Sequence, residues 1–180
     1  LLKMKIMKTK VLFLLSLLIL SGCSKMKIED FKNTTPEFPL EEYFDGNLEA
    51  WGIFEDRFGN LRRQFRVEIN GYIKDEKLIL EEDFYYSDGE RDRRVWTIVN
   101  KENGVYEGKA DDIVGTAIGQ SEGNAFNWSY KFDLNVSGRN YRVKFDDWLF
   151  RLDERIVINK ARVSKFGLTI GTVTLFFEKK

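Results

Sequence analysis

From Asn47 onward, apolar residues recur at every second position, and this alternation limits the possible folds of the chain more than any other feature. In residues 126–134, for example, Phe, Trp, Tyr, Phe and Leu alternate with Asn, Ser, Lys and Asp. Clusters of Gly, Asp and Asn separate the alternating segments, as is typical of antiparallel strands joined by short turns. The pattern predicts ten strands, near residues 47–55, 61–72, 77–87, 91–100, 104–111, 113–122, 124–134, 139–150, 155–165 and 168–178. Such a series indicates an all-β antiparallel meander closed into a barrel, with an open sandwich as the alternative.

The first 22 residues predict a lipoprotein signal peptide. Four lysines precede an apolar run from Val11 to Leu20 that only Ser16 interrupts. This length suits the apolar region of a signal peptide, whereas a membrane-spanning helix needs about 20 residues. The run ends in Leu-Ser-Gly-Cys23, which resembles the bacterial lipobox and implies cleavage before Cys23 and attachment of lipid to it. Ser24 resembles the sorting pattern of lipoproteins bound for the outer membrane, so we expect a lipid-anchored protein at its periplasmic face.

The remaining chain divides into a tether and one domain. Residues 23–39 begin with the lipidated cysteine, contain both prolines of the chain and lack apolar periodicity, which predicts a flexible tether. Residues 40–180 form the predicted barrel domain, and residues 40–44 at its start can form a helical turn or plug. The tether allows the domain to stand off the membrane.

Composition excludes several classes of function. Removal of the four lysines of the signal peptide leaves 29 − 4 = 25 Lys and Arg residues against 29 Asp and Glu residues, so no basic field for nucleic acid exists. Cys23 is the only cysteine and histidine is absent, which excludes disulfides, thiolate or histidine metal sites and Ser-His-Asp catalysis. We expect no metal and no other cofactor, and an enzyme would have to use Asp, Glu, Lys or Tyr.

The hairpin around Asp88-Gly89 predicts two inward-facing charges. A three-residue turn over residues 87–89, with Gly89 in the left-handed conformation, sets Leu80 opposite Trp96 and makes the apolar faces of both strands agree. The same register sets Glu82 opposite Arg94, inside the barrel among aromatic residues. Charged groups there need partners, so they are interpreted either as a buried ion pair that fixes the register or as a polar anchor in a ligand cavity.

A stripe of small residues marks residues 113–125. Its members share one face at every second position: Gly115, Ala117, Gly119, Ser121, Gly123 and Ala125. Glycine weakens strands, so such a stripe indicates close approach by a bulky group. Either Trp51 or Trp128 lies across the stripe as core packing, or the stripe is one wall of a pocket.

Two adjacent carboxylate pairs, Asp146-Asp147 and Asp111-Asp112, suggest metal binding or acid–base chemistry at first sight. Neighbours in a strand point to opposite faces, however, so an adjacent pair cannot converge on one ion without a bend. Structural pairing or solvation is the favoured interpretation. Asp147 shares the face of the apolar residues of its strand and is the more interesting member.

The chain resembles an uncharacterised family of Gram-negative lipoproteins, a domain of unknown function placed near the lipocalin-like calycins. The similarity extends over nearly all of residues 44–177. It rests on the runs Glu-Asp-Phe-Tyr-Tyr-Ser-Asp-Gly-Glu at 82–90, Arg-Val-Trp at 94–96, Gly-Asn-Ala at 123–125, Phe-Asp-Asp-Trp at 145–148 and Lys-Phe-Gly at 165–167. The resemblance implies a lipocalin-like, calycin-type barrel. Lipocalins carry Gly-x-Trp in their first strand, whereas this chain has Trp51-Gly52.

These features predict a lipid-anchored barrel that binds a small apolar or amphipathic ligand, such as a fatty acid or lipid. We expect the pocket between the small-residue stripe and the strand of Trp128 and Tyr130, with Arg94 meeting an acidic headgroup. The candidate binding residues are Glu82, Arg94, Trp96, Gly115, Ala117, Gly119, Trp128, Tyr130 and Asp147. The alternatives are a structural or assembly lipoprotein with a solid core and, third, an acid–base enzyme using Glu82, Asp147 or Tyr130. A cavity of several hundred Å³ favours ligand binding, and a raised carboxyl pKa inside it favours the enzyme.

Overall fold

The alternating segments form ten strands, each paired antiparallel with its neighbours along the chain. The computed structural model describes residues 25–136 and 139–180. The strands are β1 Gly46–Asp56, β2 Leu61–Lys74, β3 Lys77–Tyr86, β4 Arg91–Asn100, β5 Val105–Lys109, β6 Ile113–Glu122, β7 Ala125–Val136, β8 Arg139–Arg151, β9 Ile156–Lys165 and β10 Leu168–Lys179. β1 also pairs with β10, so the sheet closes. The predicted closed antiparallel barrel is confirmed.

The predicted register of the β3–β4 hairpin is also confirmed. Leu80 pairs with Trp96 and Glu82 pairs with Arg94. Gly89 has a φ of 91°, which gives it the left-handed conformation that the three-residue turn requires. The inward positions of β3 and β4 therefore carry both the apolar core and the two predicted charges.

A short helix closes one end of the barrel. Helix α1, Leu40–Phe44, places Tyr43 and Phe44 in the core, and the Tyr43 hydroxyl donates a hydrogen bond to the Arg155 carbonyl oxygen (2.8 Å). The carbonyl of Phe44 lies so close to Gly71 of β2 that a Cβ at position 71 would overlap it. The helical plug suggested by the sequence is present, and it forms the floor of the barrel.

Residues 25–39 differ from the predicted flexible tether, because they are packed against the barrel and Phe38 is buried in its core. This segment contains a 3-10 helix, Ile28–Phe31, whose Ile28 is buried and whose Phe31 ring packs on Trp148 (5.8 Å between centroids). Further along, Thr34 hydrogen-bonds Asn124 and the amide of Phe38 donates to the Gly123 carbonyl. We call residues 25–39 the strap. Its apolar side chains are irregularly spaced, so the pattern gave no sign that they are bound.

The predicted signal peptide and Cys23 lie outside the described residues. In residues 25–136 and 139–180, neither helical segment has the length and apolar character needed to span a bilayer.

Candidate ligand-binding cavity

The barrel encloses a cavity of about 680 Å³ above the floor formed by α1. Leu40 and Phe44 of the floor segment line its lower part. The walls are formed mainly by inward aromatic and aliphatic side chains, among them Phe65, Phe84, Trp96, Trp128, Phe132, Phe145, Val163 and Leu175. The interior is therefore not filled, and its walls are largely apolar.

The cavity opens at the end of the barrel opposite α1. Near α1 the lining residues Leu80 and Ile98 are 5% exposed, whereas Leu134 at the other end is 39% exposed. Arg63 and Glu90 form an ion pair at this rim, and the Arg63 guanidinium stacks on the Tyr86 ring at 3.5 Å. We call this end the mouth. Among the described residues, it is formed by the β1–β2, β3–β4, β5–β6 and β9–β10 connections.

Arg94 reaches the cavity as predicted, but its close partner is not the predicted one. Its Nε and Nη2 atoms both lie 2.8 Å from Oδ2 of Asp112, whereas the nearest approach to Glu82 is 4.0 Å. The guanidinium also faces the rings of Phe84 and Phe132, at 5.5 and 5.0 Å. A buried guanidinium needs a charge-assisted hydrogen bond, and Asp112 supplies it. Arg94 is thus not a free partner for an acidic headgroup.

The expected structural pairing or solvation of Asp111-Asp112 fits Asp112, but the sequence did not identify Arg94 as its partner. The register of β4 and β5 contains the missing signal, since Thr97 pairs with Lys109. Continuing that antiparallel register by three residues on each strand sets Arg94 level with Asp112, just beyond the end of β5. Prediction of the β4–β5 register would therefore have identified the partner.

A second polar pair faces the cavity from β7 and β8. The Tyr130 hydroxyl donates a hydrogen bond to Oδ2 of Asp147 (3.2 Å), and Oδ1 of Asp147 is buried without a hydrogen-bond partner. Asp146 points outward instead and binds Arg162 (2.7 Å) and Lys25 (3.2 Å). The two adjacent carboxylates lie on opposite faces, as the strand geometry predicts.

The cavity thus contains one polar cluster, which consists of Glu82, Arg94, Asp112, Tyr130 and Asp147, and burial shifts the pKa of Glu82 and of Asp147 within it. Burial raises the pKa of Glu82 to about 7, although the Arg94 charge opposes the rise. Burial likewise raises the pKa of Asp147 to about 7, against the hydrogen bond from Tyr130. The pKa of Arg94 lies above its ordinary value because the nearby carboxylates outweigh its desolvation. At neutral pH the cluster therefore offers the Arg94 guanidinium and, at Glu82 and Asp147, two carboxyl groups that are partly protonated.

The small-residue stripe is not a wall of the cavity. Trp128 and Phe126 cover Gly119, where any side chain would overlap their rings, and this confirms the packing interpretation for Trp128. Trp51 is 41% exposed and does not take part. Ala117 is buried but does not line the cavity, and Gly115 has a positive φ and open space around it. Leucine at position 119 would displace aromatic core residues before it filled any pocket.

Of the nine candidate binding residues, six line the one cavity: Glu82, Arg94, Trp96, Trp128, Tyr130 and Asp147. The remaining three, Gly115, Ala117 and Gly119, do not line it. The cavity lies instead between the aromatic faces of β2–β4 and those of β7–β10. Its rim charges, Arg63 and Glu90, were not predicted.

Comparison with known proteins gives a family and a fold. A family model described as "Protein of unknown function (DUF3833)" matches residues 17–179. No curated protein sequence matches the chain. A protein of unknown function from the DUF3598 family of Nostoc punctiforme is similar in structure, with a TM-score of 0.61 and 13% identity over 81% of this chain and 51% of that one. This chain thus spans about half the length of the Nostoc protein.

A second solved structure, the S-type phycobiliprotein lyase CPES from Guillardia theta, has a TM-score of 0.56 and 10% identity. The match covers 87% of this chain and 93% of the lyase. At such low identities these similarities show the barrel fold alone.

Proposed function

We propose that this chain, which belongs to the family of unknown function DUF3833, binds a small apolar or amphipathic ligand in its cavity. A fatty acid or another lipid is such a ligand. We further propose that Cys23 is lipidated and holds the protein at the periplasmic face of the outer membrane. The observation that carries the proposal is the open cavity of about 680 Å³, with apolar walls and one polar cluster.

The size and lining of the cavity suit such a ligand. Binding pockets for small molecules have volumes of about 300–1,000 Å³ and are mostly apolar, with a few polar groups that fix orientation. Here the polar cluster lies partway between the floor and the mouth, so an apolar chain can fill the space on one side of it. A protonated Glu82 or Asp147 can donate a hydrogen bond to the polar group of the ligand, whereas Arg94 remains paired with Asp112. A structural lipoprotein with a solid core is disfavoured, because that role predicts a filled barrel.

The ligand proposal is tested with a variant that fills the cavity. Ala161 of β9 is buried and lines the cavity beside Asp147, so Ala161→Phe should occupy ligand space without displacing a core ring. Lys160→Phe is the matched control, because the same side chain is then added to the outer face of the same strand. We expect wild type and Lys160→Phe to bind a fluorescent fatty acid saturably and Ala161→Phe to bind at least about tenfold more weakly.

Native mass spectrometry of protein extracted from its own membrane should in addition detect a retained small molecule. Absence of saturable binding by the wild type, together with no retained molecule, would contradict the proposed function. Unchanged binding by Ala161→Phe would place the ligand outside the cavity.

An acid–base enzyme is the second candidate, favoured by two cavity carboxyls whose pKa is about 7. Glu82, Asp147 and Tyr130 would supply the acid and base. To test this, the retained molecule is incubated with wild type and with Glu82→Gln and then analysed by chromatography and mass spectrometry. Conversion by the wild type alone supports catalysis, and recovery of unchanged molecule from both supports binding.

A further inference from the structure

The mouth of the barrel carries an exposed apolar cluster. Among the described residues, the large apolar side chains with the greatest exposure are Phe166 (95%), Phe58 (75%) and Leu168 (68%). All three lie in the β1–β2 and β9–β10 connections or next to them. These connections are neighbours, since β1 pairs with β10 and the Arg57 amide donates to the Ile170 carbonyl (3.0 Å). Large exposed apolar side chains that cluster in this way mark an interaction site.

Two cations flank these side chains. The Arg57 guanidinium lies 4.7 Å from the Phe58 ring, and Nζ of Lys165 lies 5.4 Å from the Phe166 ring. Neither cation forms an ion pair with any residue in 25–136 or 139–180, whereas Arg62 nearby is paired with Asp56. We call Arg57, Phe58, Lys165, Phe166 and Leu168 the apolar tip. Aromatic rings beside free cations are the combination that binds the interface of an anionic bilayer.

The backbone conformation at Phe166 is energetically unfavourable for a bulky residue. Phe166 and Gly167 have φ values of 51° and 81° and form a two-residue turn between Lys165 and Leu168. Such turns strongly favour Asn or Asp at the first position, and a bulky residue in the left-handed conformation is an outlier. A phenyl ring that points into water gives the folded chain no packing in return.

We propose that the apolar tip inserts into the surface of an anionic phospholipid bilayer and thereby sets the mouth of the cavity against the membrane. Phe54 and Ile170, from strands that bear the tip, also line the cavity, so the inserted residues and the mouth are at one end of the barrel. A ligand entering from the bilayer would then cross little water. The docking itself does not depend on ligand binding.

The course of the strap agrees with this orientation. Thr34 contacts Asn124 at the end of the barrel closed by α1, whereas Lys25 contacts Asp146, partway along β8 towards the mouth. From Thr34 back to Lys25, the strap therefore runs from the α1 end of the barrel towards the mouth. A lipid on Cys23, two residues before Lys25, would be compatible with the same membrane contact.

The proposal is tested by vesicle flotation of residues 25–180, which contain all ten strands, α1 and the core and lack any cysteine. The vesicles consist of phosphatidylcholine, with or without phosphatidylglycerol. Phe58→Ser with Phe166→Asn should weaken partitioning to the anionic vesicles by at least about tenfold. Leu152→Ser is the matched control, since Leu152 is exposed (52%) in the turn at the opposite end, and it should bind like the wild type.

Two further measurements separate docking from a general effect of surface apolarity. Arg57→Gln with Lys165→Gln should remove the preference for phosphatidylglycerol and the weakening by salt. Phe166→Asn alone should raise the denaturation midpoint, because Asn fits the turn, while it lowers partitioning. The proposal is overturned if the wild type does not float with anionic vesicles, or if Phe58→Ser with Phe166→Asn floats equally well; the tip would then fit a protein surface instead. Flotation measures docking of the apolar tip on the bilayer, whereas the fatty-acid titration measures binding in the cavity. The docking proposal and the ligand proposal can therefore fail separately.

Discussion

Arg94 is the residue on which the charge balance of the cavity depends. It is 17% exposed, forms two 2.8 Å contacts with Asp112 and lies 4.0 Å from Glu82. Its removal leaves both carboxylates uncompensated, which in a buried site costs about 3–5 kcal/mol. Arg94→Leu should therefore reduce the free energy of unfolding by about 3 kcal/mol, since the site is not completely dry.

Double-mutant cycles in chemical denaturation identify the partner that matters. We expect a larger coupling energy between Arg94 and Asp112 than between Arg94 and Glu82, because only Asp112 is within hydrogen-bond distance. Asp112→Leu should accordingly recover more of the loss in Arg94→Leu than Glu82→Leu does. A larger coupling to Glu82 would contradict the observed pairing.

At the scale of secondary-structure elements, an element was predicted correctly where several independent features of the sequence constrained its conformation. The β3–β4 register satisfied two constraints at once, the glycine required in the turn at position 89 and the agreement of both apolar faces. The strap satisfied no constraint that is visible in the sequence pattern. Its apolar residues Ile28, Phe31 and Phe38 have no common period, and they pack on residues from distant strands. Its binding to the barrel follows from tertiary contacts alone.

A substitution beside helix α1 can test whether α1 loosens from the barrel while the strands stay folded. The Phe44 carbonyl occupies the space beside Gly71 that a Cβ would need. Gly71→Ala should therefore push α1 away from β2 and cost about 1–3 kcal/mol, as overpacking does. Hydrogen exchange should become faster in residues 38–45 while the strands keep their protection.

Asn70→Ala, on the outer face of the same strand, is the control for Gly71→Ala and should leave exchange in residues 38–45 unchanged. Uniformly faster exchange throughout the barrel would show instead that α1 and the strands unfold as one unit.

For the whole molecule, the barrel and six cavity-lining residues were predictable, whereas the position of the cavity relative to the small-residue stripe was not. Alternation identifies which residues face inward, so Glu82, Arg94 and Asp147 were correctly placed inside. Whether the inward side chains fill the interior or leave a cavity depends on the radius of the closed barrel. It also depends on which aromatic rings lie flat against the inner face of the sheet. Trp128 and Phe126 fold over Gly119 on one side, whereas the opposite walls stand apart. This difference moved the cavity away from the small-residue stripe.

The two cavity carboxyls also make the stability of the whole protein depend on pH in an unusual direction. Burial raises the pKa of Glu82 and of Asp147 to about 7, far above the values of about 4 in an unfolded chain. Between these values the folded state binds more protons than the unfolded state, so the free energy of unfolding rises as the pH falls from about 8 to about 5. Each group contributes a slope of at most about 1.4 kcal/mol per pH unit. Glu82→Gln with Asp147→Asn should flatten this slope in denaturant titrations, whereas Glu76→Gln, in an exposed turn, should leave it unchanged. A slope unaffected by the double substitution would show that both carboxyls titrate in contact with water.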